Sequence, residues 1–131
     1  MMGRVLAVDP GDVHLGVALS DPTATIASPL LVLRHSSRQR DVQALIEASR
    51  QHQVERIVVG VPYGMEGDIG PQARKALRLA EALRGATTLP VVIWDESGSS
   101  RAARKGRRGD PLEHARAAAV ILQEHLDASS Q

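Results

Sequence analysis

Short apolar runs alternate with polar punctuation along this chain. "RVLAVD" (Arg4 to Asp9) is apolar without alternation, the pattern of a strand buried on both faces. Turn chemistry follows in Pro10-Gly11-Asp12, and "HLGVALSD" (His14 to Asp21) then predicts a hairpin partner. The apolar stretch Leu30 to Leu33 predicts a third strand. From Ser37 to Val54 the period changes: Val42, Leu45, Ile46 and Ala48 recur at helical spacing, with one face buried. "ERIVVGVP" (Glu55 to Pro62) is a further buried strand, followed by the glycine-rich loop Tyr63 to Pro71. "QARKALRLAEALRG" predicts a helix stopped by Gly85, with Arg84 in its last turn. "LPVVIWDE" (Leu89 to Glu96) predicts another buried strand. Asp110 to Asp127 predicts a last helix, with Asp110, Pro111 and Glu113 forming a capping box that has proline at its first helical position. A meander feeding βαβ units implies an α/β fold with a mixed sheet and helices packed on it. Without repeat or linker, residues 1–131 are expected to form one domain.

Composition narrows the chemistry. Tyr63 and Trp94 are the only aromatic residues besides histidine, so the core must be aliphatic. Cysteine is absent, which excludes a disulfide framework, a thiolate metal site and a cysteine nucleophile. No stretch has the length of a membrane span, and the opening apolar run is too short for a signal peptide. A cytoplasmic protein with no membrane partner is expected. Net charge is +1, but "RAARKGRR" (Arg101 to Arg108) holds five basic residues and no acid. That stretch is the best polyanion contact, or else a solvated basic turn.

Two strands end in acid. Asp9 closes the first run, and Asp95-Glu96 closes the run from Leu89. If the strand from Glu55 lies parallel beside the first and the strand from Leu89 lies next, these carboxyl ends share one edge, where open α/β sheets bind ligands. Carboxylates gathered there repel each other, and a divalent cation would keep them ionised. Alternatively, each acid caps a turn.

The segments "AVDPGDVHLGVALSD", "RIVVGVPYGMEGDIG", "WDESGSS" and "ARAAAVILQEHL" resemble, in order, the successive motifs of the YqgF/RuvX family, whose members are similar to RuvC-type Holliday junction resolvases. The resemblance implies an RNase H-like fold, with a five-stranded mixed sheet that begins with three antiparallel strands. It further implies metal-dependent phosphodiester hydrolysis in maturation of precursor 16S rRNA, with a link to junction-type DNA. By that resemblance Asp9 matches the acid of the first strand, and Glu96 with Asp95 matches the acidic pair of an Asp-Glu-Arg motif. His114 falls where an aspartate is expected.

Two departures matter. Imidazole at His114 can ligate a metal but brings no negative charge, which shifts the expected preference from Mg²⁺ toward Mn²⁺. Glu113 competes for this role, though the capping box gives it a structural one. The arginine of the motif is replaced by Ser97; Ser99 and Ser100 retain hydroxyls, and Arg101 or Arg104 could hold a phosphate instead. Nucleic-acid contacts are expected from Gly11, Tyr63, Ser99, Ser100, Arg101, Arg104, Lys105, Arg107 and Arg108. Gly11 would admit a close phosphate or simply make a tight turn. Tyr63, in the glycine loop that also carries Met65, would stack on a base. His14, His35, His52 and His125 stand alone in sequence and are expected to face solvent.

These features point to a small nuclease with two divalent cations, Mn²⁺ or Mg²⁺, among Asp9, Asp95, Glu96 and His114, with Asp9, Glu96 and His114 catalytic. Its partners would be precursor rRNA, branched or single-stranded DNA, or ribosomal precursor particles. Two alternatives stay open: a nucleic-acid-binding module whose site has weakened, and a phosphate-binding domain of kinase-like ancestry.

Overall fold

The computed structural model of the chain describes residues 3–64, 66–96 and 110–129. Five strands form one sheet: β1 (Arg4–Asp9), β2 (His14–Ser20), β3 (Ala27–Arg34), β4 (Val54–Val61) and β5 (Val91–Asp95), in the order β3-β2-β1-β4-β5. β1 pairs antiparallel with β2, and β2 with β3, while β4 and β5 continue the sheet parallel to β1. This is the mixed, meander-first sheet that the apolar runs predict. Among the described residues, three helices cover it: α1 (Arg38–Gln51), α2 (Pro71–Ala86) and α3 (Glu113–Ser129).

Strand alternation divides the core between the two faces. Leu6, Val8, Leu15, Val17, Ile57, Val59 and Val61 pack with Val42, Leu45, Ala76 and Leu83 of α1 and α2. Val5, Ala7, Ala18 and Val58 pack with Ala118, Leu122 and Leu126 of α3. The continuous apolar runs of β1 and β4 thus reflect helices on both sides, and each fully buried Leu or Ile stabilises the fold by about 1.5–3 kcal/mol.

Local chemistry sets the boundaries. Ser37 caps α1, its hydroxyl accepting from the Arg40 N–H at 3.2 Å. α2 starts with Pro71 but is not stopped by Gly85: the helix runs through that residue to Ala86, and the Thr87 N–H donates to the Leu83 carbonyl. Nothing lies within 4 Å of where a Gly85 side chain would be. Arg84 does more than complement the helix end, donating from Nε and Nη2 to the Val91 carbonyl and tying α2 to the start of β5. α3 begins at Glu113, three residues later than expected, because residues 111–112 form a turn. There Asp110 accepts from the Leu112 N–H at 2.9 Å and from Arg116 Nε at 2.5 Å, while Glu113 lies 3.6 Å from His114 Nε2.

The β2–β3 connection is organised by Asp21. Its carboxylate accepts from the backbone N–H groups of Ile26 and Thr25 and from the Thr23 hydroxyl, which together hold its pKa far below the usual carboxylate range. Gln123 of α3 accepts from the Ala27 N–H and donates to the Thr25 carbonyl, both at 2.9 Å, anchoring the helix to the base of β3. β3 itself is an edge strand carrying Pro29, and its register against β2 shifts between Val17 and Ala18. Among the described residues, no helix is long and apolar enough to cross a membrane.

Candidate active site at the carboxyl edge of the sheet

Asp9 ends β1 directly opposite Gly16 of β2. Val8 pairs with Val59 of β4, so the next residue of β4, Gly60, extends beside Asp9. Alternation places Asp9 on the α3 face with Val5 and Ala7. A carboxylate at the end of a buried strand is therefore flanked on both sides by residues without side chains.

Each glycine admits something specific. A Cβ on Gly16 would lie 1.8 Å from the His114 carbonyl oxygen and 2.9 Å from the Ala115 nitrogen, so the first turn of α3 presses directly on β2. A Cβ on Gly60 would lie 3.3 Å from Cδ and Oε1 of Glu96 and 2.9 Å from Ile121 Cδ1. The Glu96 carboxyl group occupies that cradle, only 4% exposed, and its backbone N–H donates to the Val61 carbonyl at 3.1 Å. Asp9 thus lies between the strand that seats Glu96 and the strand that seats the start of α3.

Asp95 goes elsewhere. It pairs with Val61, whose side chain belongs to the core under α1 and α2, so alternation turns Asp95 to that face, where it is exposed. The adjacent acids are split between the two sides of the sheet.

His114 is brought to the same edge, at the first turn of α3, with its ring stacked on His14 at a centroid distance of 4.9 Å and an interplanar angle of 27°. His14 was expected to stand alone in solvent, and the stack corrects that. The hairpin register holds the missing signal: His14 and Gly16 share a face, and Gly16 is opposite Asp9. His35 and His125 also depart from expectation. His35 Nδ1 lies 2.5 Å from Oδ2 of buried Asp41, and its backbone N–H donates to the Val13 carbonyl. His125 is buried edge-on against Trp94 with centroids 5.3 Å apart, and burial, then Arg56, lower its pKa. His52 ends α1, its backbone N–H donating to the Ala48 carbonyl.

Of the expected nucleic-acid contacts, Gly11 makes a tight turn, where a Cβ would lie 2.4 Å from the His14 carbonyl oxygen. Tyr63 is half-buried against the core beneath α1 and α2. Ser99, Ser100, Arg101, Arg104, Lys105, Arg107 and Arg108, like Met65, lie outside the described residues.

The electrostatics of this edge have a second source. β3 runs parallel to β1, so α1 and α2, which follow β3 and β4, begin at the edge where Asp9 and Glu96 stand, and the contact of His114 with Gly16 puts the start of α3 there too. Their first turns carry the partial positive charge of a helix N-terminus, which favours anions. Among the described residues, no three His, Asp or Glu side chains form a ready-made cation cage. The donor chemistry of Asp9 and Glu96 nonetheless fits a hard divalent cation: two carboxylates on one face, one seated over Gly60.

Comparison with known proteins bears on family and fold. A model of the RuvX family, described as Holliday junction resolvase, matches residues 3–128. A protein of Caldanaerobacter subterraneus subsp. tengcongensis named "Putative pre-16S rRNA nuclease" is 38% identical, over 95% of this chain and 96% of its own length. A protein of the same name from Desulforamulus reducens is 37% identical, over 98% and 99%. Among solved structures, Thermus thermophilus RuvC in complex with a Holliday junction substrate superposes with a TM-score of 0.61 at 17% identity, covering 98% of this chain and 96% of that one. That similarity identifies the fold as RuvC-like.

Proposed function

This chain belongs to the RuvX family, and on that premise we propose that it is a divalent-metal-dependent nuclease that matures the 5′ end of precursor 16S rRNA. One observation carries the reading. Asp9 and Glu96, remote in sequence, stand on one face of the sheet at its carboxyl edge, where Gly16 admits the first turn of α3 and Gly60 admits the Glu96 side chain. Two carboxylates on one face at a sheet edge match the oxygen-donor chemistry of a hard divalent cation.

The proposed residues act as follows. Asp9 and Glu96 would hold Mn²⁺ or Mg²⁺, which would supply activation of an attacking water and charge stabilisation of the leaving oxygen. Gly16 and Gly60 let the first turn of α3 and the Glu96 side chain close onto the sheet on either side of Asp9. The helix N-termini at this edge attract the negative charge of a phosphodiester. His114 is placed to add an imidazole ligand if its ring leaves the stack with His14, which would favour Mn²⁺ over Mg²⁺. Asp95, on the other face, contributes field rather than ligation. The basic residues from Arg101 to Arg108 would contact backbone phosphates, and such contacts position the strand without reading its bases. A protein with these properties would work in the cytoplasm, where precursor rRNA is.

The family description makes four-way DNA junctions the second substrate class to test. The deciding experiment incubates the protein with Mn²⁺ or Mg²⁺ and a panel of precursor 16S rRNA leader, single strands, duplexes and four-way junctions. Cleavage of the leader is expected, with Asp9→Asn reducing the rate at least about 100-fold. Selective junction cleavage would move the reading to DNA. Binding without cleavage under any metal would establish the weakened-module alternative.

A further inference from the structure

A second concavity, of about 170 Å³, lies on the α1/α2 side of the sheet, beneath the β1–β2 turn. Its apolar lining comes from Leu15 and Leu79, both almost fully buried, and from Pro10. Arg38, in the first turn of α1, and Gln72 and Lys75, in the first two turns of α2, bring the cations and the amide. One wall is pre-organised: Asp41 is buried and held by His35 and by the Ser36 N–H at 3.3 Å. Gln72 Nε2 and Lys75 Nζ already hold one carboxylate, that of the exposed Asp12, at 2.8 and 2.9 Å, and lower its pKa.

The lining is mixed in a way that narrows the ligand. A bare phosphate would leave the apolar side of the pocket, Pro10 with the accessible edges of Leu15 and Leu79, uncovered, and an apolar ligand would desolvate Arg38 and Lys75 without pairing them. A nucleotide satisfies both, with its base against that apolar side and its phosphate on the cations. Position narrows it further. Pro10 and Gly11 line this pocket and follow Asp9 directly through trans peptides, so the pocket and the carboxylate pair lie on either side of one short turn.

We propose that this pocket receives one unpaired nucleotide of the substrate strand, adjacent to the phosphodiester held at Asp9 and Glu96. The inference rests on the nuclease reading and deepens it: a base inside this pocket cannot be paired, so the substrate must present a single-stranded or extruded nucleotide beside the cut. Asp12 is displaced from Lys75 and Gln72 when the strand's phosphate arrives.

The test separates this pocket from catalysis by using Asp9→Asn protein. Single-stranded oligonucleotides carrying one abasic position, moved along the strand, are titrated against it. One position is expected to weaken binding by about tenfold, the effect of one lost base contact. Leu79→Phe, which fills the pocket, should remove that dependence, and Leu79→Met, which conserves volume, should keep it. Adenosine monophosphate alone should shift the amide resonances of Gly11, Leu15 and Gln72 more weakly than the oligonucleotide does. Tighter binding of the free nucleotide than of any strand would overturn the substrate assignment. An abasic scan that is flat at every position, with cleavage by the native chain intact, would overturn the pocket and leave the nuclease reading standing. Position-dependent binding by a native chain that never cleaves would do the reverse.

Discussion

Histidine illustrates how partners decide a residue's behaviour. His125 is buried, and among the described residues neither ring nitrogen has a hydrogen-bond partner. Burial and the nearby Arg56 charge keep it neutral. An unfolded imidazole takes up a proton below about pH 6.5, so the unfolded chain gains protons that the folded chain refuses, and this contribution weakens folding as pH drops through that value. His125→Leu should therefore raise stability by about 1 kcal/mol at pH 7 and by more at pH 5. Thermal melts at the two pH values check this; an unchanged difference between them would remove His125 as the cause. None of the three misjudged histidines was legible from its neighbours in sequence. His14 takes its partner from α3, His35 from α1, and His125 from β5 and β4. Asp9 was legible, because an acid ending an otherwise apolar run is a local signal.

Elements are positioned by glycines of opposite kinds. Gly16 is where the start of α3 touches the sheet, and Gly16→Ala would drive a Cβ into the His114 carbonyl. The helix must move, at a cost of about 2–4 kcal/mol, and Ile121 of that helix, which shares the space over Gly60 with Glu96, moves with it. Calorimetry should show the lower Tm, and cleavage should fall more steeply than the folded fraction. Gly85→Ala is the contrast: in an open helical position, it should stabilise by about 0.5–1 kcal/mol without changing activity. Both glycines look alike in sequence. Gly85 suggests a helix stop because glycine commonly follows a helix end, and the Thr87-to-Leu83 bond overrides that local preference. Gly16 gives no sign of its role until the hairpin register brings it opposite Asp9. Strand existence was more legible than helix ends, since burial on both faces writes an uninterrupted apolar run, whereas caps depend on single hydrogen bonds.

Across the whole molecule, net charge is only +1, so binding of a polyanion must depend on where charge is concentrated. On the proposed reading, the helix starts at the carboxyl edge and the basic residues Arg101 to Arg108 supply that concentration. Binding should weaken steeply with salt, log K falling linearly against log salt by roughly 0.7 per phosphate neutralised on single strands. Replacing Arg107 and Arg108 with serine should lower that slope by about one to two units while leaving the Tm unchanged. A slope indifferent to this change would place the phosphate contacts elsewhere.

The outer border of the sheet carries its own consequence. Among the described residues no strand pairs with the outer side of β3, yet Pro29 brings no N–H donor to this strand and the shift between Val17 and Ala18 breaks the run of the ladder. An incoming strand from another copy would meet a missing hydrogen bond and a kink, so the edge resists recruitment into a continuous intermolecular sheet. Pro29→Val would restore the template, and the expected outcome is faster fibrillar aggregation on mild heating, followed by amyloid-dye fluorescence.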